Sequence, residues 1–113
     1  MSQESKNAMI GNVRVTIEEY NALTVWVVLD YGGSGQQFGG YCLYNGKDWM
    51  EKGNYAGHFL WRLMEVAGVK NLNEVEGKTV RVRATQTKVH AIGHILKDDW
   101  FDPDEEFEKL TQK

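Results

Sequence analysis

The sequence predicts a small α+β fold that is mainly β, with five strands, one helix between the third and fourth strands, and a short acidic helix at the C-terminal end. Three observations lead to this prediction. Strand-like patterns occupy the first part of the chain, apolar residues recur every three or four positions in the middle, and strict alternation then returns. A chain of 113 residues with 42% hydrophobic and 26% charged residues has the size and composition of one folded domain.

Three consecutive antiparallel strands are predicted in the first part of the chain. Residues 1–7 are polar, and we expect a frayed N-terminus there. Beyond them, alternating apolar residues, β-branched runs and turn signals at 18–21 and 32–35 divide the chain into short extended segments. The predicted strands cover residues 13–17, 23–31 and 36–44.

The periodicity changes in the middle of the chain. Over residues 55–67 the apolar positions follow a helical period, which predicts an amphipathic helix that ends at Gly68. A short helical turn is predicted around 72–75. Two further strands are predicted over 79–85 and 89–96, and a helix stays an alternative for the second of these because its apolar residues also fit a helical period.

The C-terminal segment predicts a short helix. Asp102 suits the N-cap, Pro103 the first helical position, and Glu105 completes a capping box. Phe107 and Leu110 lie three residues apart, which gives this helix one apolar edge.

The order of the elements is that of a five-stranded OB-like barrel with its helix between strands three and four. A small sheet covered by one helix is the alternative. We expect a single domain over 1–113, with the barrel body over 8–97 and an acidic tail over 98–113. The tail has seven acidic and two basic residues, whereas the preceding chain carries a net charge of +2. A solvated charged helix would give the same pattern.

A basic and aromatic set on the strands is the first candidate site. If Val25 and Val27 face the core, Trp26 faces outward, and the same alternation turns Arg81 and Arg83 outward. Rings that stack on bases and cations that follow the phosphates are typical of single-strand binding. Alternatively, Trp26 packs under another element and the arginines pair with the tail. The candidate nucleic-acid-binding residues are Arg14, Trp26, Phe38, Tyr41, Arg81, Arg83 and Lys88.

The acidic tail is the second candidate site. Aromatic residues dominate many protein–protein interfaces, so an acidic helix with aromatic side chains suits the binding of a partner protein. Such a protein would be an inhibitor or adaptor, for example an anti-defence protein. The candidate partner-binding residues are Trp100, Phe101, Asp104, Glu105, Phe107 and Leu110.

Catalysis and metal binding are not favoured. No serine or cysteine nucleophile lies beside a suitable base, and Cys42, the single cysteine, falls in a predicted strand. On a strand, His90 and His94 stand about 13 Å apart, too far to share one metal, whereas on a helix they would be neighbours. We therefore expect a protein that is not an enzyme and uses no cofactor and no metal.

Glycines cluster on both sides of Phe38 without the spacing of a phosphate-binding loop. They predict a turn and a bend in the sheet. A small-ligand pocket lined by this hairpin is a further alternative. The glycines are Gly32, Gly33, Gly35, Gly39 and Gly40.

Two stretches of the chain resemble small phage-encoded proteins of the replication and recombination region. They are VRVTIEEYNALTVWVVLDYGG and LWRLMEVAGVKNLNEVEGKTVRVRA, and the resemblance covers residues 9–97. It implies an OB fold that binds single-stranded DNA. The tail DDWFDPDEEFEKL is similar in charge and aromatic content to the acidic tails with which phage and bacterial single-stranded-DNA-binding proteins recruit partner enzymes, although it continues to a basic Lys113.

The predicted function is that of a phage or prophage accessory protein that binds single-stranded nucleic acid through an aromatic and basic strand face. The alternatives are a protein-binding inhibitor or adaptor and a small-ligand-binding protein. One cysteine, no apolar run of bilayer length and no signal-peptide core predict a cytoplasmic protein without membrane association. Exposed strand edges make a homodimer a candidate assembly.

Overall fold

The computed structural model of the chain describes residues 4–46 and 54–111. Within these residues, seven strands form one antiparallel sheet and two helices pack beside it, which confirms an α+β fold that is mainly β. The helices are α1 (Ala56–Ala67) and α2 (Pro103–Thr111). The strands are β1 (Glu4–Glu18), β2 (Ala22–Asp30), β3 (Gly35–Gly39), β4 (Tyr44–Asn45), β5 (Thr79–Ala84), β6 (Val89–Gly93) and β7 (Trp100–Phe101).

β1 is the longest strand and connects the two halves of the sheet. Residues 4–9 pair with β5, and the part from Met9 onward pairs with β2. The register with β2 shifts between Ile10 and Val13, where β1 contains one residue more than β2. A bulge of this kind bends a strand and changes its alternation. Ile10 is therefore buried in the core, and Val13 also packs against it, although the two are three residues apart.

The N-terminal segment enters the sheet earlier than the composition predicts. Lys6 and Asn7 lie opposite Val82 and Arg81 of β5, so residues 4–7 belong to β1 and not to a frayed end. Strand pairing uses backbone hydrogen bonds, which polar side chains on an exposed face do not prevent. The remaining part of that prediction, residues 1–3, lies outside the described residues.

The sheet is open, and the predicted five-stranded barrel is unconfirmed. The strand order is β3-β2-β1-β5-β6-β7, and β4 pairs with β2 beyond the end of β3. The third predicted strand, 36–44, is divided into β3 and β4, because Gly39 and Gly40 have positive φ and residues 40–43 leave the strand. β7 was not predicted. β4 and β7 have two residues each, which is too short for an alternation pattern. One side-chain hydrogen bond connects β3, at the end of the sheet, with the residue after β5: Nε2 of Gln36 donates to the carbonyl of Thr85 at 3.1 Å.

The core lies between the sheet and α1. Phe38 of β3 stacks on Phe59 of α1 with ring centroids 5.6 Å apart, and Phe101 of β7 meets Phe59 edge to face at 5.1 Å. All three rings are fully buried. The burial of three phenylalanine rings is a principal contribution to the stability of a small domain.

The predicted helix ends are confirmed. α1 ends at Gly68, whose φ of 75° is readily adopted only by a residue without a Cβ, and its N–H bonds to the carbonyl of Glu65. At the start of α2, Oδ1 of Asp102 accepts a hydrogen bond from the N–H of Glu105 at 3.2 Å. No helix within the described residues is long and apolar enough to cross a membrane.

The fifth predicted strand is confirmed as β6 but ends at Gly93. Residues 94–96 leave the strand because Nδ1 of His94 accepts hydrogen bonds from the N–H groups of Leu96 and Lys97 at 3.0 and 3.1 Å. This local bonding turns the chain toward β7, which returns it to the sheet.

Candidate nucleic-acid interface

The candidate interface is the outer face of the sheet, the side turned away from α1. Alternation along each strand places a particular set of basic and aromatic side chains there. Val25, Val27, Val80, Val82 and Ala84, the neighbours of Trp26, Arg81 and Arg83, are buried in the core, and Val13 before Arg14 and Phe101 after Trp100 also pack in or against it. We call this set the outer face: Arg14, Trp26, Arg81, Arg83 and Trp100. Four of these were predicted as nucleic-acid-binding residues, whereas Trp100 was predicted as part of a separate partner-binding tail.

Trp100 lies against the bare backbone of Gly93. The two residues are opposite each other on β7 and β6, and a Cβ at Gly93 would lie only 2.7 Å from the indole ring. The guanidinium carbon of Arg83 is 3.9 Å from the centre of this ring, and that of Arg81 is 4.7 Å from it. A glycine, an indole and two cations thus form one layered cluster, held by packing and cation–π attraction.

The two arginines of this cluster have different roles. The Nε of Arg81 donates to the carbonyl of His94 at 2.9 Å, and its Nη2 donates to the carbonyl of Lys97 at 2.6 Å. Arg81 therefore holds the loop between β6 and β7. Arg83 is exposed, and within the described residues its N–H groups have no acceptor. Arg83 is thus a cation oriented by a ring, with its hydrogen-bond donors open to a ligand.

Trp26 forms a second ring-on-glycine contact on the same face. A Cβ at Gly40 would lie 2.4 Å from its ring, and its Nε1 donates to Oε1 of Glu18 at 2.9 Å. Arg14 lies directly opposite Trp26 on β1 and is exposed. It forms no ion pair within the part of the chain that the structure describes.

A further aromatic residue, absent from the predicted site, lies at the end of the same hairpin. Tyr20 sits in the short 3-10 turn between β1 and β2 with φ of 62°, and 85% of its surface is exposed. The signal in the sequence was an aromatic ring inside a predicted turn, where no core is nearby to bury it.

The structure places the other predicted nucleic-acid residues away from the outer face. Phe38 is fully buried in the core, so it offers no surface to a base. Tyr41 meets Phe107 of α2 edge to face at 6.0 Å. Lys88 lies 5.6 Å from the Tyr41 ring and forms an ion pair with Asp104 at 3.2 Å. Tyr41 and Lys88 therefore face the tail helix.

Tyr41 is in an environment that keeps its phenol neutral. Desolvation by burial raises the pKa of Tyr41 to about 12, and the negative charges of Asp104 and Asp102 act in the same direction. Its hydroxyl is buried and has no hydrogen-bond partner within the described residues. Tyr41 thus serves packing between the β3–β4 segment and α2.

The tail packs onto the domain through most of its apolar side chains. Phe101 belongs to the core, and Phe107 stacks on Tyr55 with ring centroids 4.6 Å apart. Leu110 is half-buried. Several acidic residues remain exposed: Asp104 pairs with Lys88, and Glu105 pairs with Lys109 at 3.3 Å. What the tail presents to solvent is therefore mainly negative charge.

Arg62 of α1 ties the tail to the helix. Its guanidinium donates to Asp99 at 3.0 Å, to Glu106 at 3.1 Å, to Glu65, and to the carbonyl of Trp100 at 2.7 Å. Burial would lower the pKa of Arg62, but the hydrogen bonds to Asp99, Glu65 and Glu106 outweigh it and raise the pKa. Only 13% of the Arg62 side chain is exposed, whereas water reaches its partners Asp99 and Glu65, which are 35% and 47% exposed.

Other groups that could carry chemistry lie elsewhere. Cys42 is exposed between β3 and β4 and is not part of a strand. Within the described residues, no group of three His, Cys, Asp or Glu side chains could hold a metal ion. The glycine turn lines a pocket of 230 Å³ beside Tyr31, over whose ring Nζ of Lys6 lies at 4.3 Å. A groove of 420 Å³ runs along α1 beside Trp61.

The outer face thus carries two separate clusters: Trp26 with Arg14 beside the second half of β1, and Trp100 with Arg81 and Arg83 beside its first half. Each cluster combines an indole ring with an exposed cation, Arg14 in one and Arg83 in the other. That combination can hold phosphates and stack flat rings. No protein-family model, curated protein or solved structure matches this chain.

Proposed function

We propose that the protein binds single-stranded nucleic acid on the outer face of its sheet, as a small OB-like module. The observation that carries this proposal is Arg83, which is exposed, stacked on Trp100 and without an acceptor for its N–H groups in the described residues. The proposed role is binding and not catalysis. The setting of phage replication or recombination rests on the sequence resemblance.

Each group on the outer face has a task in this proposal. The N–H groups of Arg83 would donate to a backbone phosphate, and the outer side of its plane would receive a base. The partly exposed ring of Trp26 provides a second stacking surface, with Arg14 opposite it to meet another phosphate. In this proposal the side chains contact phosphates and the flat faces of bases, but not the hydrogen-bonding edges of bases. We therefore expect little sequence preference.

In this proposal the aromatic residues of the tail stabilise the fold and do not bind a partner protein. The alternative of a partner-binding tail would need aromatic anchors, but Phe101 is in the core and Phe107 is stacked on Tyr55. Trp100 is held under Arg83. The acidic surface of the tail remains, so capture of a basic partner is the interpretation that a failed nucleic-acid test would favour.

The test is fluorescence anisotropy of a labelled oligo-dT at low and moderate salt, with a duplex as comparison. We expect the wild type to prefer the single strand and to lose affinity as salt rises. Arg83→Gln should weaken binding about three- to tenfold and reduce the slope of log affinity against log salt by about 0.7, the value for one single-strand phosphate contact.

The matched control is Lys109→Gln, which removes one positive charge from an exposed residue of α2 that pairs with Glu105 and does not belong to the outer face. Thermal unfolding of each variant establishes that the fold is intact. Equal affinities for Arg83→Gln and Lys109→Gln would remove the proposed site. Failure of the wild type to bind either oligonucleotide would reject the function.

A further inference from the structure

The second half of β1 forms an open edge of the sheet. On one side it pairs with β2 as far as Glu18. On the other side, β5 pairs with β1 only up to Met9, and Gly77 and Lys78 bond to the backbone of Ile10. Past Ile10, no backbone group of the described residues pairs with this side of β1.

Backbone hydrogen-bonding groups point into this open edge. The carbonyls of Leu23 and Val25 on β2 accept bonds from Leu43 and Gly40, so they point away from β1. In an antiparallel pair, directly opposite residues either both turn toward each other or both turn away. Ile17 lies opposite Leu23 and Val15 opposite Val25, so the N–H and C=O groups of both β1 residues point outward.

On one side of the strand, the side chains along this edge are apolar and exposed, while Arg14 and Glu18 lie on the other side. Val15 is 49% exposed and Ile17 is 72% exposed, although both lie on the same side of the strand as core residues. Soluble proteins usually protect an open edge with charge, proline, a bulge or a covering element. The single bulge of β1 lies before Val13, so it leaves residues 14–18 straight and open to pairing.

The sequence of this edge is complementary to itself. If two copies pair antiparallel about a two-fold axis at Thr16, Arg14 of each copy lies opposite Glu18 of the other. Val15 of each copy then lies opposite Ile17 of the other. Opposite charges and apolar residues that face each other across strands are the pairs that stabilise a sheet.

We propose that a second copy of this chain pairs with β1 in this way, so that two sheets join into one continuous sheet through a two-fold axis at Thr16. Val15 and Ile17 of each copy exchange backbone hydrogen bonds, and Arg14 forms an ion pair with Glu18 across the axis. A single pair of strands buries less surface than the roughly 1,200 Å² of a stable interface. The dimer is therefore reversible and depends on concentration.

The test is sedimentation equilibrium without nucleic acid, over a range of protein concentrations. Arg14→Glu alone places two acids opposite each other, and Glu18→Arg alone places two arginines opposite each other. We expect both variants to be monomeric where the wild type is dimeric. An equimolar mixture of the two restores opposite charges at both positions and should regain the dimer mass.

A second variant and a control complete the test. Ile17→Lys changes only an exposed apolar side chain and should abolish the dimer, whereas Lys70→Glu, at an exposed site after α1, should leave it unchanged. A wild type that stays monomeric throughout would overturn the proposal, as would single-charge variants that dimerise like the wild type. Because no nucleic acid is present, either result is independent of the proposed function.

Discussion

On the outer face, two indole rings lie against glycine backbone. Trp100 covers Gly93, and Trp26 covers Gly40, and any Cβ at these glycines would meet the ring at less than 3.0 Å. The missing side chains let each ring lie close to the sheet: Arg83 stacks on the Trp100 ring, and the Trp26 ring is partly exposed. At the scale of single residues, the candidate interface therefore depends on small residues that touch no ligand.

The most perturbed tyrosine, Tyr41, gives a prediction about pH. Its pKa is about 12 in the folded protein and 10.0 in the unfolded chain. A raised pKa means that the stabilisation is fully present below pH 10 and is lost as the pH rises from 10 through 12. We expect the free energy of unfolding to fall less steeply over this window in Tyr41→Phe than in the wild type.

Near neutral pH, the same substitution should change stability by no more than about 1 kcal/mol, because the buried hydroxyl has no hydrogen-bond partner in the described residues. Urea unfolding at pH 7, 10 and 11.5 measures both effects. Tyr20→Phe, at a site 85% exposed, is the control and should follow the wild type. An equally steep fall in Tyr41→Phe would show that Tyr41 does not titrate as described.

At the scale of elements, the C-terminal tail is an integral part of the domain, because it supplies a strand of the sheet and a packed helix. β7 extends the sheet beside β6, and α2 begins two residues later under an Asp102 cap. Arg62 of α1 joins both elements, since its partners Asp99 and Glu106 lie on either side of β7. One guanidinium thus fixes the helix, the last strand and the tail helix relative to one another.

Arg62→Met tests this connection. The substitution keeps an apolar stem but leaves Asp99 and Glu106, 35% and 20% exposed, without their cation. We expect the free energy of unfolding to fall by about 2 kcal/mol, a value below that of a fully buried pair because water reaches both carboxylates. Chemical denaturation at neutral pH measures it.

The control for Arg62→Met is Lys109→Met, which breaks the exposed pair with Glu105, whose side chains are 71% and 64% exposed. An exposed pair of this type contributes at most about 0.5 kcal/mol. If the two variants lost the same stability, Arg62 would be an ordinary surface residue and the network would have no special role.

At the scale of the whole molecule, the sheet is held together by contacts between distant parts of the chain. β1 pairs with β5 across more than 60 residues of intervening sequence, and β7 brings Phe101 into a cluster with Phe38 and Phe59. The tail therefore supplies part of the core as well as negative charge. Removal of the tail and removal of its charge are expected to have different consequences.

A chain that ends at Lys97 should not fold cooperatively, because it lacks Phe101 and both acids that hold Arg62 from the tail. Loss of a fully buried phenylalanine alone lowers stability by about 3–5 kcal/mol. Near-UV circular dichroism and thermal unfolding measure the result.

A chain that carries Glu105→Gln on the exposed side of α2 is the matched comparison, and its free energy of unfolding should stay within about 0.5 kcal/mol of the wild type, the most that the exposed pair with Lys109 contributes. A stable, cooperative chain that ends at Lys97 would contradict the role of the tail in the core.

Much of the local structure could be predicted from the sequence. Alternation predicts β1, β2 and β5, the three- and four-residue spacing predicts α1, and the capping residues locate the end of α1 and the start of α2. These signals are local, because the strand and helix periods are properties of neighbouring residues. The same alternation correctly turned Trp26, Arg81 and Arg83 outward.

By itself, the sequence determined the main helices and longer strands and which side of these strands is apolar, but not the two-residue strands β4 and β7. Only the tertiary structure decided what lies on each side: Phe38 under Phe59, Phe107 on Tyr55, and Trp100 under Arg83 on the outer face. Periodicity assigns a residue to a face but does not identify the distant residue that shares it. Long-range strand pairing makes that choice, because it brings together segments whose spacing along the chain carries no periodic signal.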